Sequence, residues 1–113
     1  MKRISVVITT YKRASLLRRS LDSIIPNSPD EIIIVNDDPT EKINIEIERN
    51  IQFVQHSENL GLCAARNSGV DAASGDYIAF CDDDDLWLPD YLNNVRPLLD
   101  GEHDIIIALD KKY

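Results

Sequence analysis

The sequence predicts an α/β fold of the Rossmann-like class, with a mostly parallel sheet and helices on both faces. Apolar segments that suit strands alternate along the chain with segments that have helical periodicity, which is typical of βαβ units. The predicted strands are apolar runs, as expected when both faces of a parallel sheet are covered. The 113 residues suit a single domain spanning residues 1–113, with right-handed connections between parallel strands.

The first half of the chain contains three predicted strands and one helix. The helix has leucine and isoleucine at helical spacing, and Pro26 ends it. Ile43, Ile45 and Ile47 alternate with polar residues, which suits either a strand or part of a weak helix. The other predicted elements are a strand at residues 4–9, the helix at 12–25, a strand at 31–36, a turn at 37–40 and a strand at 51–55.

The second half continues the alternation. Its predicted elements are a helix at residues 62–73, a strand at 77–81, a helix from Pro89 through residue 99 and a last strand at 105–108. Cys63 and Cys81 fall within the first of these helices and the strand that follows it. We therefore predict two small buried thiols, with neither a disulfide framework nor a CxxC metal pattern.

Composition narrows the classes of partner and the compartment. The net charge of −8 argues against nucleic acid or an anionic membrane as a partner of the whole surface, although Lys12, Arg13, Arg18 and Arg19 form one local basic cluster. No apolar run is long enough to span a bilayer, and the N-terminal residues lack the small-residue site of a cleavable signal. The cytoplasm is the predicted location, with the inner membrane face as a peripheral alternative.

Polar residues follow three of the predicted strands. Residues 9–11 follow the first strand, Asp37 and Asp38 follow the second, and residues 82–85, all aspartates, follow the strand at 77–81. The carboxyl ends of parallel strands meet at one edge of a sheet, and ligands bind outside that edge. We therefore expect these three groups to converge on one site.

The four consecutive aspartates have two interpretations. An acidic run is commonly a solvated surface turn. Here it follows a buried strand and is expected near a second acidic pair, so uncompensated charges would repel one another. A divalent cation together with a basic clamp would relieve that repulsion. Hard oxygen ligands with few protein carboxylates suit Mg²⁺ or Mn²⁺ held jointly with substrate phosphates.

Other acidic motifs fit less well. A calcium-binding EF-hand loop that began at Asp82 would need glycine where Trp87 stands. A phosphatase with an aspartyl nucleophile would have threonine or valine where Leu86 stands. A response-regulator receiver domain suits the length and fold class, with Asp37, Asp38 and Lys111 in its acidic and basic roles, but their spacing is wrong. A receiver-like module remains the weaker alternative.

Three ordered segments resemble the large inverting nucleotide-sugar glycosyltransferase family with the GT-A fold, family 2. They are "ISVVITTYKRASLLRRSLDSI", "EIIIVNDDPT" and "NLGLCAARNSGVDAASGDYIAFCDDDDLWLPDYL". The second segment resembles the family signature VVDDGST, and the third contains the family's DxD motif. Each segment alone is weak, whereas the ordered set covers nearly the whole chain.

The resemblance implies a nucleotide-binding or metal-binding role for each of eight residues and makes Asp85 their neighbour. Thr9 and Tyr11 would frame the nucleobase and ribose, Arg13 and Arg66 would lie near the phosphates, and Asp83 would lie by the ribose. Asp37 would accept a hydrogen bond from uracil N3–H, since a carboxylate is acceptor-only. Asp84 would be the main ligand of Mg²⁺ or Mn²⁺, with Asp82 supporting it and Asp85 as a neighbour. Gly69 is expected to serve packing.

One departure from the family signature concerns the nucleobase. Asn36 replaces the first aspartate of the signature pair, and Asp38-Pro39 replaces Gly-Ser. The change to asparagine keeps the shape of the side chain and removes its charge. Uridine remains the expected base, with guanosine and thymidine donors open.

The resemblance implies inverting transfer of a sugar to an acceptor hydroxyl, in cell-surface polysaccharide biosynthesis, but no catalytic base can be matched. His56 is a loop residue with no assigned partner, and Glu102 and His103 precede the last strand, at the wrong end of the sheet. The chain therefore resembles the donor-binding half alone, cut after the strand that follows the DxD motif. It would be part of a larger transferase, a module that works with another subunit, or a non-catalytic remnant. The acceptor, a glycan or a lipid-linked sugar, is open, and self-association would cover an exposed sheet edge.

Overall fold

The computed structural model of the chain describes residues 2–46 and 50–99. Four strands and three α-helices lie within them. They are β1 (Ile4–Thr10), α1 (Ala14–Ile24), β2 (Glu31–Asn36), β3 (Ile51–Gln55), α2 (Leu62–Ala72), β4 (Tyr77–Asp82) and α3 (Tyr91–Val95). The predicted strands at 4–9, 31–36, 51–55 and 77–81 are therefore confirmed, to within one residue at each end. The predicted strand at 105–108 and Ile47 lie outside the described residues.

The four strands form one parallel sheet in the order β3-β2-β1-β4. The register pairs Thr9 with Asp82 across β1 and β4, and Thr10 with Asn36 across β1 and β2. The carboxyl ends of all four strands consequently lie along one edge, as the sequence predicts for a parallel sheet.

Helices cover both faces of the sheet, which confirms the predicted fold class. On one face, α1 places Leu17, Leu21 and Ile24 against alternate residues of the strands, such as Val6 and Ile8. The opposite face carries the intervening strand residues, Val7, Ile33 and Val35, which pack against Ala65 of α2. Because successive strand side chains point to opposite faces, both sets must be apolar, and the strands lose the alternation of a half-exposed sheet.

Helix α2 lies close to the sheet because it presents small residues there. A Cβ atom added to Gly69 would meet Cγ1 of Val7 at 2.3 Å and Cγ2 of Val35 at 3.3 Å. Both obstacles are β-branched side chains in the core, which have little freedom to move. Gly69 therefore serves close packing of helix on sheet, as expected from the sequence.

We expect Gly69→Ala to lower the free energy of unfolding by about 1–3 kcal/mol, the usual range for overpacking a core. Chemical denaturation monitored by circular dichroism would measure the change. Asp71→Ala is the matched control, because Asp71 is exposed on the same helix and its loss should change stability by no more than about 0.5 kcal/mol. Equal stability of Gly69→Ala and the wild type would contradict the close approach of α2.

The first helix begins later than the sequence predicts. The expected start at Lys12 is wrong, because Lys12 has a positive φ of 58° and Arg13, the N-cap, has non-helical dihedral angles. A left-handed residue disrupts a right-handed helix, so α1 begins at Ala14. The same bend turns the Arg13 side chain back toward the end of β4, where it meets Asp83.

Two other segments also differ from expectation. The helix predicted from Pro89 begins at Tyr91 and becomes a 3₁₀ turn at residues 96–98, where Pro97 has no N–H to donate. Neither a strand nor a helix forms at residues 41–46. Ile43 and Ile45 there are half-buried against the core beside α1, so the alternation reflects packing of an irregular segment.

The two cysteines differ in environment. Cys81 is buried in β4 as predicted, whereas the prediction of a buried Cys63 is wrong. Cys63 lies in the first turn of α2, on the side of the helix that faces away from the sheet. Ala65 and Gly69 lie on the side of α2 that contacts the sheet. Burial, together with the nearby carboxylates of Asp85 and Asp82, raises the pKa of the Cys81 thiol to about 12.

We expect a thiol reagent to modify one cysteine in the native chain and two after denaturation. The thiolate is the reactive form, and Cys81 is both buried and protonated at neutral pH. Titration with a chromogenic disulfide would count the thiols, and Cys63→Ser should abolish the native signal. Rapid native modification of Cys63→Ser would contradict the burial of Cys81.

None of the helices in the described residues is long or apolar enough to cross a membrane. Within the same residues β4 is an outer strand of the sheet, and its Phe80 is half-exposed. Self-association along this edge stays a prediction.

Candidate functional site

The carboxyl edge of the sheet carries a cavity of about 430 Å³. Seven of the eight residues singled out from the sequence line it. They are Thr9, Tyr11, Arg13, Asp37, Asp82, Asp83 and Asp84. The eighth, Arg66, places its Nη2 3.3 Å from Asp82 Oδ1. Sequence and topology thus bring the predicted residues together at one place.

The acidic run forms a tight turn that is anchored to α1. Asp82 is the last residue of β4, and the backbone N–H of Asp85 donates to the Asp82 carbonyl at 3.1 Å. The buried Ser20 hydroxyl donates to the carbonyls of both residues, at 3.2 Å for Asp82. The turn is therefore held from beneath, and its side chains are presented by an ordered backbone.

Asp83 differs from the other aspartates of the turn because its side chain is directed into the protein. It is 1% exposed, and its Oδ2 accepts hydrogen bonds from Thr10 Oγ1 at 2.9 Å and Arg13 Nε at 3.2 Å. Arg13 Nη2 lies 2.5 Å from Asp83 Oδ1 as an ion-pair contact without hydrogen-bond alignment. Arg13 also reaches Asp84 Oδ2 at 3.5 Å, so one guanidinium partly neutralises two carboxylates.

The remaining three aspartates of the turn offer a set of oxygen ligands. One carboxylate oxygen from each of Asp82, Asp84 and Asp85 lies within 4.8 Å of the others. Hard oxygen donors that are partly or fully exposed suit Mg²⁺ or Mn²⁺, which keep water and phosphate oxygens among their ligands. The residues present therefore fit the expected metal. Asp85, expected from sequence as a neighbour, belongs to this group by position.

Asp37 is a buried carboxylate with three donors. Its Oδ1 accepts from His56 Nδ1 at 2.8 Å and from the Leu60 N–H at 2.8 Å, and its Oδ2 accepts from the Gly61 N–H at 2.9 Å. Burial alone would raise the pKa of Asp37, but these hydrogen bonds outweigh it and hold that pKa below its usual value of 3.8. Asp37 is therefore a carboxylate at neutral pH.

His56 was missed by the sequence interpretation, which treated it as a loop residue without a partner. The structure buries it at 7% exposure, with Nδ1 on Asp37 and Nε2 2.8 Å from Ser68 Oγ. A signal for this position existed, because His56 directly follows β3 and therefore reaches the same sheet edge as Asp37.

The local hydrogen bonds explain the asparagine at position 36. Asn36 Nδ2 donates to the Glu41 carbonyl at 2.7 Å and to Gln55 Oε1 at 3.0 Å, while Asn36 Oδ1 accepts from the Asp38 N–H at 3.0 Å. An aspartate here would accept as well but would have no N–H to donate. Asn36 thus shapes the turn that follows β2 and does not line the cavity.

Two further predicted residues, Tyr11 and Arg66, present flat groups at the edge of the site. The Tyr11 ring is 39% exposed, and Lys12 Nζ lies 5.3 Å from its centroid. Arg66, which contacts Asp82, also lies over the Phe80 ring with its Cζ 5.9 Å from the centroid. Both groups are thus placed by cation–π contacts at the surface of the protein.

Comparison with known proteins agrees with the fold. The chain is 38% identical over 112 residues to the putative glycosyltransferase EpsH of Bacillus subtilis, and the match covers 93% of this chain and 33% of that protein. It is 34% identical over 105 residues to the succinoglycan biosynthesis protein ExoW of Rhizobium meliloti, covering 83% and 33%. The chain therefore spans about a third of the length of these relatives.

A solved structure shows the same fold. The mannosyltransferase PcManGT from Pyrobaculum calidifontis, determined in complex with GDP-Man and Mn²⁺, matches 89% of this chain and 33% of its own, with a TM-score of 0.73 and 23% identity. The model of the glycosyl transferase family 2 matches residues 5–110. Because that match spans nearly the whole sequence, the chain belongs to glycosyl transferase family 2.

Proposed function

We propose that this chain is the donor-binding part of an inverting glycosyltransferase and that it binds a nucleotide-diphosphate sugar together with Mg²⁺ or Mn²⁺. The observation that carries the proposal is that one cavity is lined by two kinds of carboxylate. Asp37 is ionised and suited to accept a hydrogen bond from a nucleobase, and Asp82 and Asp84 are suited to bind a metal ion. The relatives are glycosyltransferases by name, and the structural neighbour was solved with GDP-Man and Mn²⁺.

Recognition of the nucleoside would fall to the β1 and β2 ends of the cavity. Asp37 would accept the ring N–H of uracil, and the exposed Tyr11 ring would offer a stacking face. Thr9 and the buried Asp83 also line the cavity, where Thr9 would frame the ribose and Asp83 would lie beside it. UDP-sugars are therefore the favoured donors, with guanosine and thymidine diphosphate sugars as related possibilities.

The diphosphate would lie at the acidic turn. Asp84 and Asp82 would hold the cation, which supplies charge stabilisation for the phosphates when bound. Arg13 would remain on the buried Asp83 and keep that carboxylate neutralised, while its exposed end lies within reach of phosphate oxygens. Arg66, already on Asp82, would hold that ligand in place from α2.

The chemistry is transfer at the anomeric carbon of the sugar. The bond from that carbon to the diphosphate oxygen breaks as the acceptor oxygen attacks the opposite face, so configuration inverts. The electron pair leaves with the diphosphate, and the hydroxyl proton passes to a general base. His56 is unsuited to that role, because it is buried behind Asp37 and does not line the cavity.

The biological setting follows from the same proposal. A cytoplasmic enzyme, or one held at the inner face of the membrane, would draw on nucleotide sugars and pass a sugar to a growing glycan or lipid-linked acceptor. The name of the ExoW relative supports a place in polysaccharide biosynthesis. The non-catalytic alternative, a binding module or a receiver-like domain, is less well supported because the chain belongs to a transferase family.

Calorimetric titration tests the proposal. We expect UDP or GDP, and the corresponding nucleotide sugars, to bind the purified chain in the presence of MnCl₂ and to bind more weakly after chelation. The absence of binding by every nucleotide diphosphate would refute the proposed function. Phosphorylation of an aspartate by a small phosphodonor, with no nucleotide binding, would favour the receiver-like alternative.

A further inference from the structure

We propose that His56 and Ser68 are positioning residues that determine base specificity by holding Asp37 with one acceptor position free toward the cavity. The inference rests on the proposed function and deepens it. It concerns a relay of three side chains, Ser68 to His56 to Asp37, that joins α2, the end of β3 and the end of β2. Of these, His56 and Asp37 are buried and Ser68 is half-buried.

Hydrogen bonds at both ring nitrogens hold the His56 side chain in place. An ionised carboxylate is acceptor-only, so the proton must be on His56 Nδ1, 2.8 Å from Asp37 Oδ1. His56 Nε2 lies 2.8 Å from Ser68 Oγ, within hydrogen-bond distance. Both ring nitrogens therefore have a partner, which fixes the orientation of the ring.

The order of contacts is that of a hydrolytic Ser-His-Asp triad, but the location excludes that chemistry. Of the three residues, only Asp37 lines the cavity. A substrate in the cavity would therefore meet the carboxylate end of the relay and would be separated from the serine by a buried histidine. The relay can act on a ligand only through Asp37.

Counting acceptors shows what the relay leaves available. Asp37 Oδ1 takes two donors, from His56 and the Leu60 N–H, which uses both of its lone pairs. Oδ2 takes one donor, the N–H of Gly61, so one lone pair on Oδ2 remains. Gly61 has a φ of 95°, which glycine adopts readily and other residues rarely do.

One remaining acceptor selects for a ligand with one ring N–H. Uracil, thymine and guanine each carry such a donor, whereas the corresponding nitrogen of cytosine is an acceptor and would face the carboxylate lone pair. A fixed carboxylate cannot turn to avoid that repulsion. By holding the Asp37 carboxylate in one orientation, the relay thus allows Asp37 to favour uracil over cytosine.

The test is the ratio of dissociation constants for CDP and UDP, measured by calorimetry with Mn²⁺ present. We expect the wild type to favour UDP and His56→Leu to lower the CDP-to-UDP ratio about tenfold, since hydrogen bonds to charged groups have effects of that size. His56→Asn, whose amide N–H replaces Nδ1–H, should restore most of the ratio. Ser68→Ala should lower it about threefold, with Ser15→Ala, an exposed serine on α1, as the matched control.

The outcomes separate the relay from the proposed function. Equal loss of UDP and CDP affinity in His56→Leu, or an unchanged ratio, would show a merely structural histidine and overturn the inference. If His56→Leu does not fold, the CDP-to-UDP ratio is measured on Ser68→Ala and His56→Asn instead, and an unchanged ratio in Ser68→Ala would then overturn the inference. A wild type that binds both nucleotides equally, with Mn²⁺ still strengthening binding, would refute the relay alone. A wild type that binds neither would refute the proposed function.

Discussion

Replacing Asp84 with alanine is expected to abolish the strengthening of UDP binding by Mn²⁺. Asp84 is exposed and belongs to the three-carboxylate group, and its ion-pair contact with Arg13 is long at 3.5 Å. Its removal should therefore leave the fold intact while taking away a ligand that the cation requires. In saturating MnCl₂ we expect UDP affinity to fall roughly 10- to 100-fold, the usual size of coupling between two ligands.

Two comparisons separate loss of the metal from general effects. In the presence of a chelator, Asp84→Ala and the wild type should bind UDP within about twofold of each other. Asp71→Ala removes the same charge from an exposed position on α2 and should bind UDP as the wild type does, with and without Mn²⁺. A full response of Asp84→Ala to Mn²⁺ would exclude Asp84 as a principal ligand.

Replacing Asp37 with asparagine is expected to weaken UDP binding by about 10- to 150-fold and to move the preference toward CDP. Asparagine keeps the shape but presents an NH₂ group where a lone pair was free, and that group repels a ring N–H and suits an acceptor nitrogen. The variant should also be less stable, because the amide nitrogen would face either the His56 or the Gly61 donor. Calorimetry with UDP and CDP would measure both affinities.

The neighbouring aspartate supplies the control. Asp38 is also buried, but it accepts from the N–H and the hydroxyl of Thr40 and does not line the cavity. Asp38→Asn removes the same charge and retains an acceptor oxygen, so UDP affinity should change little. If Asp38→Asn and Asp37→Asn lost affinity equally, the effect would come from the charge of the loop and not from base contact.

The fold was predictable because its strongest signals are local. Apolar runs such as Ile4–Thr10 and Glu31–Asn36 are long enough to identify buried strands, and alternation with helices implies a parallel sheet. Helix starts were harder, since the start of α1 depends on a left-handed Lys12 that only the tertiary structure requires. The predicted burial of Cys63 was wrong because α2 turns its Gly69 side toward the sheet, and Cys63 lies on another side of the helix.

The candidate site was predictable to the extent that parallel topology determines it. Knowing that strands end together was enough to bring Thr9, Asp37 and Asp82–Asp84 to one edge. The contacts between individual side chains could not be predicted from the sequence pattern, because they join residues that are distant in the sequence. The contacts of Arg13 with Asp83 and of His56 with Ser68 require the packed arrangement of α1, β3 and α2. His56 is the clearest omission, since the same edge rule applied to it.

Coupling between the cation and the diphosphate is the property on which the proposed donor site depends most directly. Calorimetric titration of the chain with UDP and with uridine, each with and without MnCl₂, measures that coupling. We predict that Mn²⁺ strengthens UDP binding at least about tenfold and leaves uridine binding unchanged, because only UDP brings phosphate oxygens to the cation held by Asp82 and Asp84. Equal effects of Mn²⁺ on both ligands, or none on UDP, would contradict a metal–diphosphate site at this turn.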